Sequence, residues 1–348
     1  MKYVLLGLVL VLVLAVSGVL VVGCMFSGSV YQGEVTKHFD GKEFVNQEQG
    51  GVRGLVAVLK WRMNHKHTTW EDRTGEVPET RNPERVGEGE LRVVFVNHAT
   101  FLLQVDGLNI LTDPLRSARS SPVSWIGPQR RISPGLRFED LPPIDLVLIS
   151  HNHYDHMDLP TLGRLEEAYS PVFLVPLGNR DFLVGNGLTT VIELDWWDFK
   201  VFGEALQVHF VPARHFSGRG LFDRNRTLWG GFVLESKGGP IYYVGDTGWG
   251  AHFQQVRDRF GAVRLAIIPI GAFRPEWFMG PMHISPKDAV RAHQLLEAQF
   301  SVPMHYGTFK LADDEQDEPL EELARALREG AIPESSFGVM EPGTPGHF

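Results

Sequence analysis

The chain has 348 residues, 43% hydrophobic and 22% charged, enough for a sizeable core in one large domain or two ordinary ones. Its 33 Lys and Arg stand against 42 Asp and Glu, a formal net charge of -9, which argues against a protein held on nucleic acid by bulk charge. A single cysteine excludes an internal disulfide and any cysteine-rich metal site.

After Lys2, the stretch YVLLGLVLVLVLAVSGVLVVGCMF carries no charge. Spanning a bilayer takes roughly 20 apolar residues, whereas a signal-peptide core has about 7–15. Residues 1–26 therefore read as a membrane anchor. Gly23-Cys24 resembles a bacterial lipoprotein box, in which the cysteine takes a lipid and becomes the mature N-terminus; an uncleaved signal anchor is the alternative. The lone Lys2 ahead of the apolar run places the folded part outside the cytoplasm, in a bacterial cell envelope.

Residues 27–90 read as an extension packing on the core. Within it, GVRGLVAVLKWRMNHKHTTW predicts a short amphipathic helix with basic residues on one side. It docks on its own domain, with lipid headgroups as the second reading. EVPETRNPERVGEGE, rich in Pro, Gly and Glu, reads as a surface loop.

From residue 91 to the end the pattern is that of one α/β domain. LRVVFVNHATFLLQVDGLNILTDP holds two β-rich runs, an Asp106-Gly107 turn signal and a third run ending at Asp113. IDLVLIS is a continuous apolar run, as for a strand covered on both faces. RLEEAY is helical in character, and PVFLVPLG returns to strand. The second half repeats this outline. TLWGGFVLESKGGPIYYVGDTG gives strand, Gly238-Gly239 turn and a strand ending in Asp246; LAIIPIGA is the counterpart of IDLVLIS. SPKDAVRAHQLLEAQ predicts a helix with Ser285 as N-cap, Pro286 at the first position and Asp288 in the first turn. SVPMHYGTF closes the pattern as a last buried strand. Two strand-rich halves with interspersed helices predict a four-layer αββα sandwich.

Chemistry concentrates in VLISHNHYDHMD, where His151, His153, Asp155 and His156 crowd the exit of an apolar strand. Ligands of open α/β sheets sit beyond the carboxyl ends of strands. His215 follows LQVHFVPAR, Asp246 follows IYYVG and His305 follows SVPM. Imidazole and carboxylate are the usual non-thiol zinc ligands, and on loops they build an open, water-bearing site. His151 and His153, two apart, send both rings to one side of an extended backbone. Asp155 and His156, beyond a bend, can address a second metal about 3.5–4 Å from the first. His98, His209, His252 and His293 read as ordinary solvated or hydrogen-bonded histidines.

HNHYDH resembles the HxHxDH signature of the metallo-β-lactamase fold superfamily. The resemblance implies that His151, His153 and His215 hold a first zinc, that Asp155, His156 and His305 hold a second, and that Asp246 bridges them, with iron or manganese as other metals. From about His38 to Leu311 the blocks SPVSWIGPQRR, VPLGNRDFL, VIELDWWD, VPARHFSGRGLFDRNRTLWGGF, IPIGAFRPEWFMGPMHISPKDAV and MHYGTFKLA are similar to the N-acylphosphatidylethanolamine-hydrolysing phospholipase D family. By that resemblance the chain is a phosphodiesterase acting on a phospholipid. Asp246, Asp155 and His283 are then the candidate catalytic residues, Asp113 a brace behind the ligands, and Trp125, Trp277, Phe278 and Met279 the walls of an acyl groove. No GxSxG elbow suggests a serine nucleophile, and two zinc ions supply water of lowered pKa instead. A lactonase or other phosphoester hydrolase of the same fold is the alternative, and a non-catalytic metal-containing envelope protein the alternative of another class.

Overall fold

A computed structural model describes residues 13, 17–18, 23, 26–48, 54–65, 68–203 and 206–348. The anchor expected over residues 1–26 falls almost entirely outside these, and Cys24 wholly so. Among the described residues no helix is long and apolar enough to cross a membrane.

The extension from residue 27 wraps onto the body. Phe39 and Phe44 are buried in the main core. Helix α1 (Leu55–Asn64) lays Ala57, Val58 and Trp61 against Ala272, Phe278, Met279 and Ala312, the docking expected from its pattern. The Pro/Gly/Glu-rich stretch that follows has no regular structure.

Strands β1 (Leu91–Asn97), β2 (Thr100–Val105) and β3 (Leu108–Thr112) form an antiparallel meander. The β2–β3 loop is the two residues Asp106 and Gly107, at φ 47° and 79°. Positive φ at both positions is what a tight hairpin turn matching the strand twist demands. Strands β4 (Leu146–Leu148), β5 (Val172–Pro176) and β6 (Val191–Leu194) then add in parallel. The crossovers carry helices α2 (Leu159–Tyr169) and α3 (Arg180–Gly185).

The second sheet repeats this logic. Strands β7 (Phe199–Phe202), β8 (Leu206–Val211), β9 (Gly231–Ser236) and β10 (Gly239–Tyr243) pair antiparallel. Strands β11 (Leu265–Pro269) and β12 (Phe300–Met304) follow in parallel. Around them lie α4 (His252–Phe260), the short α5 (Glu276–Met279), α6 (Pro286–Leu295) and α7 (Glu318–Glu329). Helix α6 starts as the sequence predicts, with a reciprocal Ser285–Asp288 capping box and Pro286 at its first position. Strand β13 (Pro345–His347) returns to the edge of the first sheet beside β1.

Alternating side chains reveal the layers. Val93, Phe95, Phe101, Leu103, Ile110 and Leu148 face the space between the sheets. Val94, Val96, Leu102, Leu111, Val147 and Phe173 face the other way, onto Leu162 and Leu165 of α2 and Leu183 of α3. In β10, Tyr243 donates across the interior to Asp113, while Tyr242 packs outward on Phe253 of α4. Two mixed sheets face each other with helices outside. The carboxyl ends of β3, β4, β10 and β12 then put Asp113, residues 150–158, Asp246 and His305 at one rim.

Candidate metal centre

Asp113 is the hub behind the site. It is fully buried and sits just past β3 at φ 34°. Its Oδ1 accepts from the Ser150 backbone N–H at 2.7 Å. Its Oδ2 accepts from the Ser150 hydroxyl at 2.5 Å, the Tyr243 hydroxyl at 2.5 Å and His156 Nδ1 at 2.6 Å. The Ser150 hydroxyl, having donated to Asp113, accepts from His151 Nδ1 at 2.9 Å. One carboxylate thereby sets the tautomer of two imidazoles and turns Nε2 of both toward the rim. His215 Nδ1 donates to the Met282 carbonyl at 2.9 Å, which frees its Nε2 in the same way.

The freed nitrogens converge in two sets. His151, His153 and His215 each offer an atom within 4.8 Å of the others, His151 Nε2 lying 2.8 Å and His215 Nε2 3.4 Å from His153 Nδ1. Asp155, His156 and His305 form the second set, with Asp155 Oδ2 3.4 Å from His156 Nε2 and 3.3 Å from His305 Nε2. Asp246 Oδ2 stands between, 3.1 Å from His305 Nε2, 3.2 Å from His156, 3.8 Å from His215 and 4.0 Å from His151. All seven residues singled out in the sequence are thus brought together. His283 joins them, its Nδ1 3.9 Å from Asp246 Oδ2.

Burial governs the charges. Desolvation holds His151 and His215 well below the ordinary imidazole value and pushes His153 and His283 down to about 4, so these rings are neutral and carry free lone pairs at pH 7. Burial would also lower His156 and His305, but the carboxylates of Asp246 and Asp155 outweigh it. His156 lies well above its ordinary value and His305 is pushed up to about 9. Burial opposes ionisation of Asp246 and Asp155 as well, yet the surrounding histidines hold both carboxyls well below their usual range. The field at the rim therefore attracts positive charge. Asp246 Oδ1, His156 Nε2 and His283 Nδ1 are buried with no hydrogen-bond partner among the described residues, although buried polar atoms are normally satisfied. Convergent lone pairs, ionised carboxylates and orphaned atoms are the environment of a cation, and the donor set suits zinc or a similar divalent ion.

A cavity of about 260 Å³ opens on this rim. His153, Asp155, Asp246 and His283 form its polar floor, Arg224 stands in its wall, and Val58, Trp61, Phe278, Met279 and Leu311 are among its apolar walls. Two of the expected groove residues do not reach it. Trp125 is 75% exposed on a loop, and Trp277 turns outward while its neighbour Phe278 points in, because adjacent residues on the single turn of α5 diverge by about 100°.

Sequence reasoning treated His98 as ordinary. It is buried, with Nε2 3.0 Å from Asp155 Oδ2 and its ring 4.1 Å from that of His305. Its carbonyl accepts from the His305 N–H at 2.7 Å. Asn46, from the extension, was also missed; it donates to the His215 carbonyl at 2.9 Å and accepts from the His215 N–H at 3.0 Å. Neither has a sequence signal beyond its residue type, since both contacts are made across long stretches of chain. His209 lies in β8 against Glu235 and His293 in α6 against Ser301, hydrogen-bonded as expected but in regular elements.

Known proteins resemble this chain in sequence and in fold. Residues 108–306 match the family model of the beta-lactamase superfamily domain. The chain is 32% identical over 328 residues to N-acyl-phosphatidylethanolamine-hydrolyzing phospholipase D 1 of Caenorhabditis elegans, an alignment covering 87% of this chain and 92% of that protein. It is 36% identical over 238 residues to the mitochondrial N-acyl-phosphatidylethanolamine-hydrolyzing phospholipase D of Saccharomyces cerevisiae, covering 67% of this chain and 51% of that protein. Its fold is similar to that of Igni18, a metallo hydrolase from Ignicoccus hospitalis, with a TM-score of 0.56 at 24% identity over 74% of this chain and 98% of the other. With a matching family model over more than half its length and relatives spanning most of it, this chain belongs to the metallo-β-lactamase superfamily and is a metal-dependent hydrolase.

Proposed function

We propose that the chain is a zinc-dependent phosphodiesterase of phospholipase D type, which cleaves N-acylphosphatidylethanolamine-like lipids into phosphatidic acid and an N-acylethanolamine. The observation that carries this reading is the cavity itself. Its floor is the His/Asp rim, its wall holds the guanidinium of Arg224, and its other walls are apolar. A phosphodiester flanked by acyl chains needs this combination: a cation for the phosphate oxygens and apolar surface for the chains. The two phospholipase D relatives support the same substrate class.

In this reading His151, His153 and His215 hold one zinc and Asp155, His156 and His305 the other. Two zinc ions bound there supply Lewis acidity toward the phosphoryl oxygens and lower the pKa of water to about 7. The residues do the rest. Asp246 Oδ2 lies within 4.0 Å of a nitrogen of His151, His156, His215 and His305, so this carboxylate would help to hold the metal beside both sets. Its Oδ1, buried without a hydrogen-bond partner among the described residues, is the atom able to carry a proton toward the leaving alkoxide. Neutral His283, on the cavity floor, orients the phosphate. Phe216 stacks under the Arg224 guanidinium at 4.3 Å and fixes its direction. Through the uncharged N-terminal stretch and Cys24 the enzyme is held at a bilayer of the bacterial envelope; Cys24→Ala is expected to remove a lipid-sized mass and to reduce membrane partition.

The test is a substrate screen on metal-reconstituted full-length protein. Glycerophospholipids with labelled N-acyl headgroups are expected to release N-acylethanolamine, and Asp246→Asn to abolish that release while leaving the circular dichroism spectrum unchanged. Cleavage of lactones alone would overturn the assignment.

A further inference from the structure

The loop between β8 and β9, residues 212–230, carries three parts of the site: His215 of the metal centre, and Phe216 and Arg224 in the cavity wall. It closes on itself, since the Asn225 N–H donates to the Ser217 carbonyl at 2.9 Å and the Ser217 hydroxyl to the Thr227 carbonyl at 2.6 Å. Its far end turns around Asp223, a fully buried carboxylate with no part in the chemistry proposed above. Asp223 Oδ1 accepts from the Gly220 N–H at 2.7 Å and Oδ2 from the Arg219 N–H at 2.8 Å. A third donor reaches it from outside the loop: the N–H of Gly28, 195 positions away, at 2.7 Å. From there the extension follows the loop. The Tyr31 N–H donates to the Arg226 carbonyl at 3.0 Å, and the Phe44 N–H to the Asn225 carbonyl at 2.8 Å. Asn46 then pairs with both backbone groups of His215 and accepts from the Trp229 indole N–H at 3.2 Å. Phe39 and Phe44, buried in the main core, fasten this run to the body.

We propose that residues 28–46 are a strap that positions this loop for catalysis, Asn46 setting His215 at one end and Asp223 setting Arg224 at the other. A loop has no ladder of its own, so its backbone groups take their places from such partners. A group that holds a metal or grips substrate must be fixed to within about 0.5 Å. The Asn46 amide has one acceptor and one donor end, which is what the N–H and C=O of a single residue require. The Asp223 carboxylate has acceptors only, and three backbone N–H groups converge on it. That fixes the turn from Arg219 to Asp223 and with it the starting point of Arg224, whose guanidinium then lies 4.3 Å from the centre of the Phe216 ring. On its other side the loop is tied to the metal-binding stretch. The Gly218 N–H donates to Asn152 Oδ1 at 2.7 Å, and the Arg219 guanidinium to the Asn152 and Met157 carbonyls at 2.8 and 2.9 Å. Extension and motif thus grip the loop from two sides, and the α/β domain from residue 91 onward is an incomplete site without the strap. The inference rests on the phosphodiesterase reading for the part played by Arg224, and adds two positioning residues to it, neither of which touches substrate.

The test uses the full-length chain in two arms. Asp223→Asn turns an amide NH2 against a backbone N–H whichever way it lies, and Asp223→Ser, which keeps one acceptor, replaces it if the first variant does not fold. In the first arm, hydrogen exchange of zinc-loaded protein is expected to show residues 27–31 and 216–224 losing protection together in the Asp223 variant. Loss in the loop alone, with residues 27–31 protected as in wild type, overturns the strap. In the second arm, zinc affinity is measured by chelator competition and turnover on soluble bis(4-nitrophenyl) phosphate. The Asp223 variant is expected to raise KM about tenfold with kcat and zinc affinity unchanged, the pattern of lost substrate binding. Arg224→Gln is expected to do the same, and the double variant to be no worse than either single one, because Asp223 acts through Arg224. Asn46→Ala is expected to give the opposite split, weakening one of two zinc equivalents about tenfold with KM unchanged at saturating zinc. Additive losses in the double variant, or the same loss of zinc and of KM from both ends of the strap, mean general destabilisation and overturn the positioning roles. Wild-type protein inactive on every phosphodiester would instead sink the hydrolase assignment, while hydrogen exchange and zinc competition would still report on the strap.

Discussion

Replacing Asp113 by Asn tests the hub behind the metal centre. Asn is chosen because it tolerates the positive φ of 34° at this position. It keeps the shape of Asp and removes one acceptor. If the amide nitrogen takes the Oδ1 place, it faces the Ser150 backbone N–H, donor against donor. If it takes the Oδ2 place, the Ser150 and Tyr243 hydroxyls can rotate to accept from it, but His156 Nδ1–H cannot. His156 Nδ1–H is then left without an acceptor, and a ring that sheds that proton keeps its other one on Nε2, the atom aimed at the rim. Either arrangement leaves a buried donor unsatisfied, a cost of about 1–3 kcal/mol in stability. Misdirecting His156 is expected to weaken metal binding about 10- to 100-fold, equivalent to about 1.4–2.7 kcal/mol. Chelator competition read by elemental analysis measures the affinity, and denaturant titration of metal-free protein measures the stability. Wild-type affinity and stoichiometry in this variant would refute the role of Asp113 as orienting group.

His98→Asn, which keeps the left-handed backbone at φ 49° but shortens the reach to Asp155, is expected to lower affinity for the second metal about tenfold with little change in the first; two sites weakened equally would contradict this. In metal-free protein His305 is raised to about 9 and His156 well above its ordinary value, so both carry protons at pH 7 that coordination must displace. Metal loading should therefore release protons, and affinity should rise with pH up to about 9, roughly tenfold per unit for each proton displaced; calorimetry in buffers of different ionisation enthalpy counts them. His252 is lowered to about 3 by burial and the nearby Arg214, against about 6.5 when unfolded. The unfolded chain then binds the extra proton, so this contribution is complete above pH 6.5 and is lost as pH falls toward 3. Wild type should lose about 2 kcal/mol more than His252→Gln between pH 6.5 and 4.5, as read by urea titration.

Much of this molecule was legible along the chain. The Asp106-Gly107 turn, the Ser285 cap, the apolar run before Ser150 and the HNHYDH cluster are local features, in which the residues that interact are only a few positions apart. Side-chain period and capping chemistry act over that range, so elements and motif could be read before any packing was known. The paired halves were legible for the same reason, each being a hairpin followed by parallel strands.

What the linear chain could not decide is which distant residues share a space. His98 looked like any loop histidine until β1, β2 and β12 brought its ring to 4.1 Å from His305. Asn46 is 169 positions from the His215 backbone that it holds on both sides. Trp277 and Phe278 are neighbours with the same chemistry, yet one turns outward and the other lines the cavity. Composition and motif determined the candidate ligand set and the class of fold, because those depend on residue type and short spacing. The second tier of partners, the cavity wall and the docking of α1 were decided by tertiary structure, because they depend on how the sheets and helices pack across long separations in sequence.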